Sequence, residues 1–328
     1  MYYIVYMKYK SLLLVLVLIP FLSLHAQSPV TLDYGETQLA IDLEPAFPEP
    51  LTEFTATAND YGLPIQGSGM RWFIDGELLS TAVNQRSIKL TAGKVGQTTK
   101  IKLVIDYPGG GNLTKEKVVA PLFLDVIIEP QTRVPAFYKG RPLPSIDSAV
   151  NLTALVNGNA IPPASLLYTW RLNGKVLEGG SIRGRNVVTF SMPQGQYATI
   201  NLDVRNATGE PIARRIFDLF KVNPDLLFYE SSGFYGLKQK AARAEVSLIG
   251  NSITMRAEPY NLDVKTYNNP DFLEWSINGV TNPNSASNPY EVTLATEGGL
   301  SGKTSVDFHV RNTVQLLQGA QGGFRVSY

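Results

Sequence analysis

Apolar and polar residues alternate one by one along this chain, in short runs that recur in sets of three. Phe54 to Ala58, Leu152 to Val156 and Ile253 to Ala257 form one set, and Ile101 to Ile105, Ile200 to Val204 and Val306 to Val310 a second. Ser87 to Leu90, Val187 to Phe190 and Val292 to Leu294 form a third. Strict alternation predicts β-strands with one buried and one wet face. Ahead of each second-set run stands W-x-(I/L)-(D/N)-G: Trp72 to Gly76, Trp170 to Gly174 and Trp275 to Gly279, at separations of 98 and 105 residues. Within a strand the Trp and the aliphatic residue two positions on share a face, and Asp-Gly or Asn-Gly is a strong tight-turn signal. All three tryptophans of the chain lie in this motif. The central apolar residue of the next run follows its Trp by 31, 32 and 33 positions, at Leu103, Leu202 and Phe308. The predicted cores therefore centre on Trp72, Ile74 and Leu103, on Trp170, Leu172 and Leu202, and on Trp275, Ile277 and Phe308. Long helical periodicity is absent; Lys238 to Ala244 reads as one short helical turn at most.

The N-terminus changes the picture from fold to compartment. Lys8 and Lys10 precede an apolar run of 14 residues, Ser11 to Leu24, and Ala26 follows, the order of a secretory signal peptide. The run is shorter than the roughly 20 residues of a spanning helix, and Pro20 interrupts it. Cleavage after Ala26 is the expectation, with an uncleaved anchor as the alternative. Removal leaves 27 Lys and Arg against 28 Asp and Glu, so no charge excess favours nucleic acid or an anionic surface. With no Cys and two His, one of them in the leader, thiolate metal sites and disulfides are excluded and a histidine metal site has little material. An exported chain free of Cys fits a bacterial route.

The mature length of 302 residues gives about 101 per repeat, the size of a two-sheet sandwich. A Trp on the third strand, facing an apolar residue about 32 positions on where antibody-type domains carry a cysteine, resembles the immunoglobulin-like and PKD-like repeat domains of exported bacterial proteins. Residues such as Leu152 and Leu202 stand where the cysteines would be, and Trp72-Phe73-Ile74-Asp75-Gly76 echoes the W-D-F-G-D-G loop of the PKD type. The resemblance implies an all-β chain of three tandem immunoglobulin-like β-sandwich domains, used as spacers or adhesive modules, and carries no ligand site with it.

The register divides the chain into a leader, 1–26, and domains at 27–127, 128–222 and 223–328. Pro-containing passages, Ile128 to Pro135 and Val222 to Asp225, are the expected joints, short enough to make a semi-rigid, extended rod. Near the start of each repeat comes a Tyr-Gly element: Tyr34-Gly35, Tyr138-Lys139-Gly140 and Tyr235-Gly236. With Phe137 and Phe234, these rings either seal neighbouring domains or line a contact surface.

Candidate chemistry is thin. Gly302-Lys303-Thr304 lacks the earlier glycine of a phosphate loop, since Glu297 stands there. His309 alternates with Phe308 and Val310 and should face outward beside Asp307 and Arg311, without a converging nucleophile. Acids such as Asp106 and Glu291 show no local pairing of the glycosidase kind. Asn59-Asp60 and Asn223 with Asp225 are weak calcium candidates. The Asn-x-Ser/Thr triplets at Asn112, Asn151 and Asn206 carry no glycan in a bacterial setting, and Gly109 to Gly111 reads as a loop tip. The sequence thus points to a non-enzymatic exported surface protein, an adhesive, spacer or appendage-associated module without cofactor, whose partner is protein or glycan. The alternative is a carbohydrate-binding accessory of a secreted hydrolase system. Membrane contact is expected only through an uncleaved leader.

Overall fold

In each repeat the strand bearing the tryptophan pairs antiparallel with the alternating strand that follows about thirty residues later. The register sets Trp72 opposite Leu103, Trp170 opposite Leu202 and Trp275 opposite Phe308. These pairs come from a computed structural model that describes residues 39–60, 68–107, 111–158, 161–283, 287–296, 301–315 and 317–328. The leader and Tyr34 lie outside the described residues. The three indoles and their partners are buried. Each indole N–H donates to a backbone carbonyl, of Gln85 at 2.8 Å, Arg185 at 3.2 Å and Pro289 at 3.1 Å, which satisfies the ring's one polar atom inside the core. Ile74, Leu172 and Ile277 end their strands half-buried.

The Asp or Asn of the motif does two things. It adopts positive φ (50° at Asp75, 49° at Asn173 and Asn278) and is followed by a glycine at positive φ, the backbone of a tight hairpin turn. Its side-chain oxygen also accepts a neighbouring-strand amide, from Lys100 at 2.7 Å, Thr199 at 2.8 Å and Ser305 at 3.0 Å. The turn residue therefore clamps the end of the Trp strand to the strand beside it.

The chain is all-β and builds three immunoglobulin-like sandwiches. In the first, Leu39–Glu44, Glu53–Asp60 and Ser87–Thr91 face a sheet of Gly69–Ile74, Thr99–Asp106 and Asn112–Val119. In the second, Phe123–Pro130, Ala149–Asn157 and Val187–Ser191 face Leu167–Leu172, Tyr197–Arg205 and Pro211–Phe220. In the third, Asp225–Ser232, Gly236–Ala241, Ser252–Tyr260 and Glu291–Ala295 face Phe272–Ile277, Lys303–Arg311 and Gly319–Ser327. Each sandwich encloses its own apolar cluster, one per tryptophan.

Two expectations give way. The passage Ile128 to Pro135 is not the first joint. The strand Phe123–Pro130 pairs with Ala149–Asn157, and Leu122 and Leu124 are buried in the second core, so the chain crosses between units just after Val119. A domain boundary at 127/128 would cut this strand. Nor is Lys238 to Ala244 a helical turn, because Gly236–Ala241 is an edge strand that forms a hairpin with Asp225–Ser232 through an irregular register.

Candidate functional site

The junction of the second and third units is built from polar groups taken out of water. The segment after Pro130 leaves its sheet and pairs with the third unit, Thr132 opposite Asp263 and Arg133 opposite Leu262. Arg133 thereby reaches Glu258, which is 1% exposed, with N···O 2.5 Å. Arg256, from the same strand as Glu258, forms an ion pair with the other carboxylate oxygen, Nε to Oε1 2.7 Å. The Arg133 guanidinium also lies over the Tyr267 ring, 3.9 Å from its centroid. A buried carboxylate is tolerable only with such charge compensation. Asp263 caps the short helix Val264–Asn268 through the Lys265 and Thr266 amides, and its other oxygen accepts from the Ala149 amide of the second unit at 3.3 Å. Gln318, fully buried, accepts from the Asp263 amide and donates to Ser145 Oγ and the Ile146 carbonyl of the second unit.

Phe137 and Tyr138 belong to this junction. Phe137 packs edge-on against Tyr229 (5.2 Å between centroids) and Tyr138 against Tyr260 (5.4 Å), while the Tyr229 and Tyr260 hydroxyls share a 2.7 Å hydrogen bond. Burial, and then the bond to Tyr229, raise the Tyr260 phenol far above its ordinary value. A Cβ at Gly140 would sit 2.6 Å from the Tyr138 ring and would push that ring off Tyr260.

Phe234 and Tyr235 do the opposite. They occupy the turn between Asp225–Ser232 and Gly236–Ala241 and are 96% and 90% exposed. Asp225 pairs with Tyr260 beside the junction, whereas Ser231 pairs with Thr254 near the other end of the same strand, so the turn lies at the end of the third sandwich away from the second unit. Ile249, 91% exposed just before the strand Ser252–Tyr260, sits at that end too.

The first junction is looser. Its ion pair, Arg215 with Glu49 at 3.5 Å, is exposed on both sides. Val95 abuts Gly158, where a Cβ would run into Val95 Cγ1. Between these contacts opens a cleft of about 430 Å³ lined by Phe47, Pro48, Val118, Leu122 and Ile212.

The residues considered for chemistry fall apart in space. Asp106 is held by Arg71 in the first unit through two 2.9 Å bonds, and Glu291 takes the Ser231 hydroxyl at 3.0 Å in the third. Asn59 donates to Asp42, and Asp225 accepts its neighbour's amide. Lys303 starts a strand and pairs with Glu245 at 2.8 Å. Among the described residues no three His, Asp or Glu side chains are placed to hold a metal ion, and no helix is long and apolar enough to cross a membrane. Gly109 and Gly110 lie outside the described residues.

His309 stands on the outer face of the third unit. The register puts Glu274, His309 and Gln321 in one cross-strand row and Ser276, Asp307 and Gly323 in the next. Together they line a polar hollow of about 410 Å³. Gly323 adds no side chain to its floor, and a Cβ there would meet the Asp307 carboxylate and the Val306 carbonyl. The Phe272 ring flanks the hollow, 5.2 Å from His309 and edge-on to it, with the Arg311 guanidinium 4.9 Å from the same ring. Burial, and then the Arg311 charge, push the imidazole below its ordinary value, against an opposing effect of Glu274. Alternation showed His309 to be outward; the signal for the hollow was the pair Gly322-Gly323 inside an otherwise regular strand, a mark of close approach.

No family model matches the chain, and no curated protein matches it by sequence. Solved structures align along most of the chain at low identity and low TM-score. The three N-terminal domains of the highly immunogenic outer capsid protein of bacteriophage RB49 share 11% identity, with 88% of this chain and 98% of that one covered and a TM-score of 0.26. The central fibronectin-III array of RIM-binding protein shares 9%, covering 88% and 95%, with a TM-score of 0.27. A structure concerning host cell surface retention of a bacterial ice-binding adhesin shares 10%, covering 88% and 96%, with a TM-score of 0.23.

Proposed function

We propose that this protein is a non-enzymatic exported surface or spacer module whose third unit carries the contact surface for a protein or glycan partner. The observation that carries this reading is the opposite treatment of two equivalent aromatic pairs. Phe137 and Tyr138 are spent on the junction, whereas Phe234 and Tyr235 are more than nine-tenths exposed at the far end of the chain's last sandwich. Exposed aromatic groups of this kind mark contact sites more often than they serve folding. The buried Glu258 clamp gives the device its lever, since it fixes the third unit to the second and lets a weak contact act at a set distance.

The test uses the full chain as immobilised bait against the envelope and medium fractions of the source cells, beside a Phe234→Ser, Tyr235→Ser double variant. A partner retained by the parent chain and lost by the variant is the expected result. Equal capture by both, or capture by neither, would remove the aromatic turn from the account.

A further inference from the structure

We propose that the outer face of the third unit is a glycan-binding site, in which Glu274, Asp307, His309 and Gln321 take the hydroxyl groups of a neutral oligosaccharide and Phe272 supplies the adjoining ring. This deepens the contact-module reading and rests on it, while naming a second surface, distinct from the aromatic turn.

The three repeats provide their own control, because the same six register positions can be compared across them. In the second unit the rows are Thr169, Asp203, Arg214 and Arg171, Asn201, Ile216. There Arg171 and Arg214 close on Asp203 from both sides and Thr169 bonds Ser181, so charge and space are consumed internally. In the first unit the rows are Arg71, Val104, Thr114 and Phe73, Lys102, Glu116; Arg71 is bound by Asp106 and Glu116 by Lys100. In the third unit the rows hold two carboxylates, an imidazole, an amide, a hydroxyl and a glycine. No ion pair joins Glu274 or Asp307 to a cation among the described residues. Arg311, two positions beyond His309, is turned onto the Phe272 ring instead.

Such a set matches sugar chemistry better than a protein surface. Carboxylates accept strong hydrogen bonds from hydroxyl donors. The amide of Gln321 and a neutral imidazole each offer one donor and one acceptor, as a sugar hydroxyl does. Burial and then the Arg311 charge favour the neutral form of His309. Two rows across three strands span roughly 7 by 10 Å, and the glycine supplies depth on a face that would otherwise be flat. A protein contact surface wants an apolar centre, which this hollow lacks. Two carboxylates without compensating cations also select against uronic acids and sulfated sugars.

The experiment titrates the full chain with cello-, malto-, xylo-, manno- and chitohexaose, with hexagalacturonate as the anionic control, and follows amide NMR signals. At least one neutral hexasaccharide should shift the signals of 274, 276, 307, 309 and 321–323, and the control should not. Asp307→Ala with His309→Ala should weaken that binding at least tenfold while the third unit still unfolds cooperatively. Ser276→Arg, which places an arginine where Arg171 stands in the second unit, should abolish it. The proposal falls if none of the five neutral sugars binds, if hexagalacturonate binds better, or if both variants bind as the parent does. If the sugars fail while capture dependent on Phe234 and Tyr235 persists, the contact module stands and only the glycan site is lost.

Discussion

Removing Arg133 probes the junction at its most consequential atom. Glu258 is 1% exposed and held by two guanidinium groups, Arg133 from the second unit at 2.5 Å and Arg256 from its own strand at 2.7 Å. Stripping one partner from a buried ion pair costs about 3–5 kcal/mol, because a desolvated charge is left behind. Arg256 survives in Arg133→Ala and holds the loss near the lower end, while the contact with Tyr267 adds about 1 kcal/mol. The sum is about 3–4 kcal/mol. For a joined pair of units of roughly 200 residues this lowers the melting temperature by about 6–16 °C. Calorimetry of the full chain measures it, and a double-mutant cycle with Glu258→Gln isolates the pair, with an expected coupling of about 2 kcal/mol. A shift within about 1 °C together with a coupling below about 0.5 kcal/mol would show that the two charges act independently and that the junction is no clamp.

Three further outcomes follow from the same structure. Trp170→Ala should destabilise the second unit by about 3–5 kcal/mol, since the indole is buried and its N–H is bonded to the Arg185 carbonyl; an unchanged unfolding curve would contradict that core. Asn278→Ala should cost about 1–2 kcal/mol through its left-handed backbone and its bond to the Ser305 amide, whereas Asn278→Gly should lose mainly the bond; equal, negligible effects in denaturant melts would overturn the clamp role. His309 should titrate below the ordinary histidine value of about 6.5 in an NMR pH series. Because its folded value is the lower one, its contribution to stability is complete above about pH 6.5 and declines as pH falls below it, and His309→Asn should flatten that dependence; titration at or above 6.5 would refute it.

How much of this could be read from the sequence follows the range of each interaction. The Trp strand, its Asx-Gly turn and the partner about 32 residues on are local features, and a single period-two pattern announces them together with the sandwich class. The clamp function of Asp75, Asn173 and Asn278 was hidden behind their turn role, although the amide each one binds lies 25, 26 and 27 residues on. The first joint was misplaced because Leu122 and Leu124 look like ordinary linker hydrophobics until the pairing of Phe123–Pro130 with Ala149–Asn157 is known. The Pro-rich passage proved to be a reach toward the third unit, and Arg133 with Glu258, 125 residues apart, leaves no local pattern at all. The split fate of the aromatics was equally illegible, since Tyr138 and Tyr235 have similar neighbours in sequence and different ones in space.

In the proposed function the second and third units form one body, joined at Glu258, that holds out the contact face. Residual dipolar couplings of the full chain in a dilute aligning medium measure this directly. Amides of the strands within 123–222 and 225–328 should fit a single alignment tensor, and those of the strands within 39–119 should require a different one. Two unlike tensors for the second and third units would contradict it.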